Sequence, residues 1–313
     1  MKNLILSFVL RLTTKNYKSP IRRALHKSFF KSCQIVLRKK QSIDKPRDLD
    51  DNFLKFEQNG FVILNKSLLK EETLEKLNRS INLSKTIFSD KIKEYSKKNK
   101  PYLMSVDFTN DPIAGKTFYE LFTDKYFIDI AQNYFNEMPL LSEIKLLHSP
   151  ITHDKIFTGS QLFHSDFDDS KLMKIFIYLN DVDLESGPLE IVSKNITKEI
   201  ISKSKYRWGQ VKRNYKSHDD NLLNLFPNDN IVTSLVGDEG TLSIVDTVNC
   251  LHRGSRNPTK ERLVLYATYS TRTSFRNPPI NWFIPGKSTD LVSNPLLSLD
   301  PDKSWIGKYA FNN

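Results

Sequence analysis

QLFHSDF, residues 161–167, sets His164 and Asp166 two positions apart. In an extended strand, side chains at i and i+2 stand on the same face, so both can reach one metal ion while Ser165 points away. Two imidazoles and one carboxylate can hold Fe(II) on one face and leave the opposite positions for oxygen and a second ligand. The missing imidazole is available at His252, 88 residues after His164. Leu162 and Phe163 precede His164, and the apolar run KLMKIFIYLNDVD, residues 171–183, follows, so its setting is that of a core strand. A second His-x-Asp, His218 to Asp220, lies in the polar stretch KSHDDN and reads as a surface loop.

Ten residues beyond His252, Arg262 opens the apolar strand RLVLYATYS. A guanidinium is planar, stays charged at any working pH and meets a carboxylate through two parallel hydrogen bonds. An unpaired charge at the head of such a strand would be costly. The other use of an arginine there is to snorkel outward from the strand end.

QLFHSDF, IFIYLNDVDLESGPLEIVSKN and GTLSIVDTVNCLHRGSRNPTKERLVLYATYS, in that order, resemble the phytanoyl-CoA dioxygenase family of Fe(II)/2-oxoglutarate-dependent oxygenases. DNFLKFEQNGFVILNKSLLKEETLEKL resembles the first strand and helix of that family, so the likeness spans about residues 52–275. It implies a mainly β fold with flanking helices, a double-stranded β-helix of jelly-roll, cupin-like form, and the 88-residue separation suits two of its strands. It further implies Fe(II) on His164, Asp166 and His252, and the distal carboxylate of 2-oxoglutarate on Arg262. The implied reaction is hydroxylation of a small organic substrate by O2, with release of succinate and carbon dioxide. A halogenase of this superfamily would need Asp166 replaced by a small residue. Two positions depart from the pattern: Gly254 stands where relatives often carry a hydroxyl, and Ser193-Lys194 where they often carry Ser-His.

Three further residues are candidates for the co-substrate pocket. Gln161 matches the first position of a Q-x-x-H-x-D pattern and can hydrogen-bond a ligand. Phe176 and Tyr178 share one strand face by the two-residue period and can wall the pocket, although core packing accounts for all three equally well. His148 and His153 flank the turn-like SPIT and read as loop residues.

The chain has 313 residues, 39% of them hydrophobic, with twelve Tyr and twenty Phe, enough for one large domain or at most two. Cys33 and Cys250 are its only cysteines, which fits a reducing compartment such as the cytoplasm. The net charge of +11 is unevenly placed: residues 1–43 hold eleven Lys and Arg and no acid, leaving 36 of the 47 basic residues to balance 36 acidic ones. The body therefore lacks a basic footprint, and nucleic acid is not an expected partner. Within the arm, residues 1–51 with its acidic link, Ile21, Leu25, Phe29 and Cys33 fall on one side of a helix and Arg23, Lys27 and Lys31 on another. Such a helix can lie on an anionic membrane surface, address the protein to an organelle or pack on the body.

The pattern places a strand at 61–64, a helix at about 70–83, helical segments over 117–135 and core strands from about 140 to 272. Residues 195–230 interrupt that pattern with Tyr206, Arg207, Trp208 and Arg213, and read as a lid over the metal or a solvated loop. A proline-rich tail, residues 276–313, wraps the body. The rival reading is a non-catalytic β-helix module attached to a membrane or partner through its arm. A third, a metalloenzyme with another ion and no 2-oxoglutarate, leaves Arg262 without a task.

Overall fold

Alternation of apolar and polar residues from position 140 onward produces two antiparallel sheets that face each other. The computed structural model describes residues 51–91, 102–108, 111–136, 139–153, 156–166, 171–203, 224, 226, 230–254 and 256–271. The basic arm, the tail, His218 and Tyr206 to Arg213 lie outside the described residues.

Helix α1 (Asp51–Asn59) buries Phe53 and Phe56 and leads into strand β1 (Phe61–Leu64). Gly60 joins them at a left-handed φ of 81°, where a Cβ would also run into the Cys250 sulfur. Helix α2 (Glu71–Lys91) outruns the expected 70–83, because Ile87 and Phe88 extend the buried stripe of Leu77 and Ile81. A short strand, β2 (Met104–Val106), follows.

The helical segment expected over 117–135 is two helices, α3 (Pro112–Phe122) and α4 (Lys125–Phe135). Asp111 caps α3 through Ile113 N and Ala114 N, and Asp124 caps α4 through Tyr126 N. Asp124 also accepts from Thr73 Oγ1 at 2.9 Å and Lys76 Nζ at 2.6 Å, so one carboxylate starts α4 and ties it to α2.

The remaining elements are β3 (Leu140–Ser149), β4 (Leu172–Tyr178), β5 (Leu189–Val192), α5 (Lys194–Lys203), β6 (Val232–Leu235), β7 (Leu242–Val245), β8 (His252–Arg253) and β9 (Arg262–Ser270). The larger sheet runs β1-β7-β4-β9-β3-β2 and the smaller β6-β5-β8. Across the larger sheet, Ile144, Ala267, Ile175 and Ile244 form one rung and Leu146, Leu265, Ile177 and Leu242 another. Both rungs join the main core with Phe118, Phe122, Phe127 and Tyr134 of α3 and α4. The opposite face has a different composition. Its rungs are Glu143, Thr268, Lys174 and Val245; then Lys145, Tyr266, Phe176 and Ser243; then Leu147, Val264 and Tyr178; and finally Ser149 with Arg262.

Val245 and Phe176 of that inner face pack with Ile191, Leu235 and Cys250 from the side of the smaller sheet. The fold is thus the expected double-stranded β-helix, with helices flanking the larger sheet. His148 belongs to β3 rather than to a loop; it is buried, with Nε2 2.9 Å from Glu261 Oε2. The 195–230 segment begins as α5, whose Ile200 packs on Phe163, Val192 and Leu251. Among the described residues no helix is long and apolar enough to cross a membrane.

Candidate metal centre

His164 and His252 exchange both main-chain hydrogen bonds, at 3.0 and 2.9 Å, and so face each other as a cross-strand pair. Side chains of such a pair leave the same face, and the two ring centroids are 4.3 Å apart. Asp166 donates its N–H to Thr247 O at 2.9 Å, which keeps the segment extended and returns the carboxylate to the side of His164. One ligand atom from each of His164, Asp166 and His252 lies within 4.8 Å of the others. That is close to the spread that bonds of roughly 2.0–2.2 Å to one ion allow.

The imidazoles are oriented by their own strands. His164 Nδ1 lies 2.7 Å from Leu162 O and His252 Nδ1 lies 3.0 Å from Cys250 O. A carbonyl only accepts, so each Nδ1 carries the proton and, in the neutral ring, each Nε2 keeps its lone pair for an ion. Burial, with His164 beside it, pushes the His252 pKa down to about 3, which keeps that ring neutral. Burial pushes the Asp166 carboxyl up, but the Lys174 ammonium, 2.7 Å from Oδ2, and the two imidazoles outweigh it and hold the group well below the usual carboxylate range.

The turn at residues 246–250 sets the position of His252. The buried Asp246 carboxylate accepts from Val248 N at 3.1 Å, Asn249 N at 3.2 Å, Asn249 Nδ2 at 2.6 Å and the Tyr134 hydroxyl. Cys250 is buried behind this turn, and burial raises its thiol well above the ordinary range, so it stays protonated.

Arg262 heads β9 on the inner face and is 7% exposed. Its Nη2 donates to Ser149 Oγ at 3.2 Å, and the Tyr178 phenol lies beside it. Burial lowers the guanidinium from its ordinary value and Tyr178 offsets part of that. Gly254 backs this corner: a Cβ there would lie 3.6 Å from Nη2, in ordinary contact.

Of the other candidates, Tyr178 is buried with its hydroxyl donating to Leu235 O, and Phe176 stacks on Tyr266 with centroids 5.5 Å apart. Gln161 is buried, and its amide oxygen accepts from Thr158 N at 3.0 Å, so half of that amide closes the turn before His164. Three residues of this wall were not among the sequence candidates. Lys174 was open to the same two-residue argument that found Phe176 and Tyr178, and Tyr266 follows Arg262 by four. Ser149 carries no sequence signal of its own.

No family model matches the sequence, and no curated protein matches it. Among solved structures, the fold is similar to the crystal structure of EctD from S. alaskensis in its apo form. The TM-score is 0.52 and the identity 14%, over 80% of this chain and 88% of that one. The crystal structure of EctD with 2-oxoglutarate and 5-hydroxyectoine gives a TM-score of 0.51 at 14% identity, over 79% and 83% of the two chains. At such identity the likeness carries the fold.

Proposed function

We propose that this protein is an Fe(II)/2-oxoglutarate-dependent dioxygenase of the phytanoyl-CoA dioxygenase type that hydroxylates a small organic substrate. The observation that carries the reading is the joint placement of a two-imidazole, one-carboxylate cluster and a buried arginine on the facing walls of one β-sandwich. His164, Asp166 and His252 would hold the ion; the donor set fits Fe(II), because both Nδ1 atoms are engaged by carbonyls and the carboxylate is ionised. Arg262, with Ser149 beside it, would take the distal carboxylate of 2-oxoglutarate: a buried guanidinium is a ready partner for an anion. The neighbouring fold of EctD, crystallised with 2-oxoglutarate and 5-hydroxyectoine, supports a hydroxylated small molecule as the product class.

When bound, Fe(II) supplies the redox chemistry by which O2 converts 2-oxoglutarate to succinate and carbon dioxide and a substrate C–H to C–OH. The protein orients the ligands, anchors the co-substrate and walls the pocket with Phe176 and Tyr178. The test is succinate formation from 2-oxoglutarate by the Fe(II)-loaded full chain in air, without added substrate. Slow, O2-dependent turnover is expected. A non-catalytic module would give none, and a metalloenzyme of another kind would show no dependence on 2-oxoglutarate; either outcome overturns the reading.

A further inference from the structure

The inner wall of the larger sheet changes character along β9. At one end Ser149, Arg262 and Tyr178 make the buried cationic corner assigned above to the co-substrate. At the other, Glu143, Thr268 and Lys174 share a rung, next to the rung of Lys145, Tyr266 and Phe176. Arg262 and Thr268 are three rungs apart on the same face of β9, so the two ends can serve different molecules.

The second end adjoins the metal cluster. Lys174 Nζ bonds Asp166 Oδ2 at 2.7 Å and stands 5.9 Å from the Tyr266 ring centroid. Tyr266 Oη donates to Glu143 Oε2 at 2.6 Å, and Glu143 pairs with Lys145, which lies two residues on along the same face. The Glu143 and Lys145 side chains are 26% and 41% exposed, so both remain accessible. An ion pair between partly exposed side chains adds little stability, and charges on an inner sandwich face carry a desolvation cost that an apolar pair would avoid. Fold stability therefore does not account for them. Beside them, the stacked Phe176 and Tyr266 rings offer an apolar platform.

We propose that this end is the substrate subsite and that it takes a small zwitterion of the amino-acid type, its ammonium on Glu143, its carboxylate on Lys145 and its hydrocarbon part over Phe176 and Tyr266. The inference rests on the oxygenase reading above. A ligand with both charges turns one ion pair into a closed set of four alternating charges, whereas a ligand with one charge gains a partner on only one side of that pair and meets a like charge on the other.

The experiment uses the full chain loaded with Ni(II), a redox-inert stand-in for Fe(II), and 2-oxoglutarate, with binding read by calorimetry. The probes are the protein amino acids and, for the tightest binder, its N-acetyl and methyl-ester derivatives. The free amino acid should bind about tenfold tighter than either derivative. Glu143→Gln should weaken the free amino acid and the methyl ester and leave the N-acetyl derivative unchanged. Lys145→Met should weaken the free amino acid and the N-acetyl derivative instead, a reversal that a misfolded variant cannot produce. The proposal is overturned if no amino acid binds below roughly 10 mM, if the derivatives bind as well as the parent, or if both variants act alike on all probes. If Ni(II) and 2-oxoglutarate themselves fail to bind, the oxygenase reading falls too; if they bind and the charge pattern fails, only the zwitterion subsite falls.

Discussion

The two faces of the larger sheet share the same strands and follow different rules. Outward, Ile144, Ile175, Ile177, Ile244 and Leu265 are buried against the helices in one apolar core. Inward, the neighbours of those residues include Glu143, Lys145, Lys174 and Ser243, interleaved with aromatic rings, and Arg262 heads the same face of β9. Thr268 Oγ1 and Ser270 Oγ, also inward, are buried with no hydrogen-bond partner among the described residues. Folding alone does not favour such a face. Because successive side chains point opposite ways, a residue that stabilises sits one position from a residue proposed to meet a ligand, and the outer face supplies the stability that lets the inner one be polar.

The largest separation of the two faces is expected at the metal cluster. His252→Ala or His164→Ala should abolish 2-oxoglutarate turnover, by at least about 10³-fold, with Ni(II) affinity lost in calorimetry and chemical unfolding of the metal-free protein little changed. A large loss of stability in the metal-free variants would make these histidines structural.

Ile175→Ala, next to Lys174 on the opposite face, should do the reverse. About 3 kcal/mol of stability should be lost in denaturant unfolding, while the KM for 2-oxoglutarate stays as in the parent. A raised KM would mean that the faces are not independent.

Arg262→Leu sharpens the comparison within the inner face. Half-saturation by 2-oxoglutarate should shift by about ten- to a hundredfold, matching roughly 1.5–3 kcal/mol for a charge-assisted bond, with Ni(II) affinity retained. An equal loss of metal affinity would assign Arg262 to supporting the ligands.

The smallest effect lies on the outer side, at Asp124. Burial raises this carboxyl, but the Lys76 ammonium and the bonds from Tyr126 N and Thr73 outweigh it and leave the pKa below the ordinary value. A lowered carboxyl pKa contributes stability above the unfolded value, near 3.9, and loses it as pH falls through the folded one. Asp124→Asn should therefore cost about 1 kcal/mol at pH 7 and less in acid, read by denaturant unfolding at the two pH values. A cost independent of pH would show that the cap acts through shape alone.

The pairing of His164 with Asp166 was legible because the two-residue period governs residues 164–166. His252, Arg262 and the double-stranded β-helix were implied by the resemblance of ordered segments to a known family, which no local rule supplies. Glu143 was not legible: β3 carries an irregularity between Leu141 and Glu143, and an extra residue reverses which face the following positions occupy. His148 was hidden for a related reason, since the turn-like SPIT beside it outweighed a strand that reaches Ser149. Helix α1 has no counterpart among the elements expected from the sequence, because its two buried anchors, Phe53 and Phe56, sit among charged residues, and nine residues give little periodicity. Helix α5 owes its place to contacts the sequence cannot display, with Thr197 Oγ1 donating to Val192 O and accepting from Leu251 N.

His164 and His252 are each other's main-chain partners as well as neighbours at the proposed ion. An ion gripped by both imidazoles closes a ring through two N–H···O bonds, and the strands cannot part there without releasing it. Amide hydrogen exchange at these two positions should slow as Ni(II) is added, by a factor that grows as one plus the ratio of free metal to Kd, and quicken again with a chelator. A two-residue bridge, too short to count for much as sheet, becomes a clasp whose strength is set by the concentration of the metal.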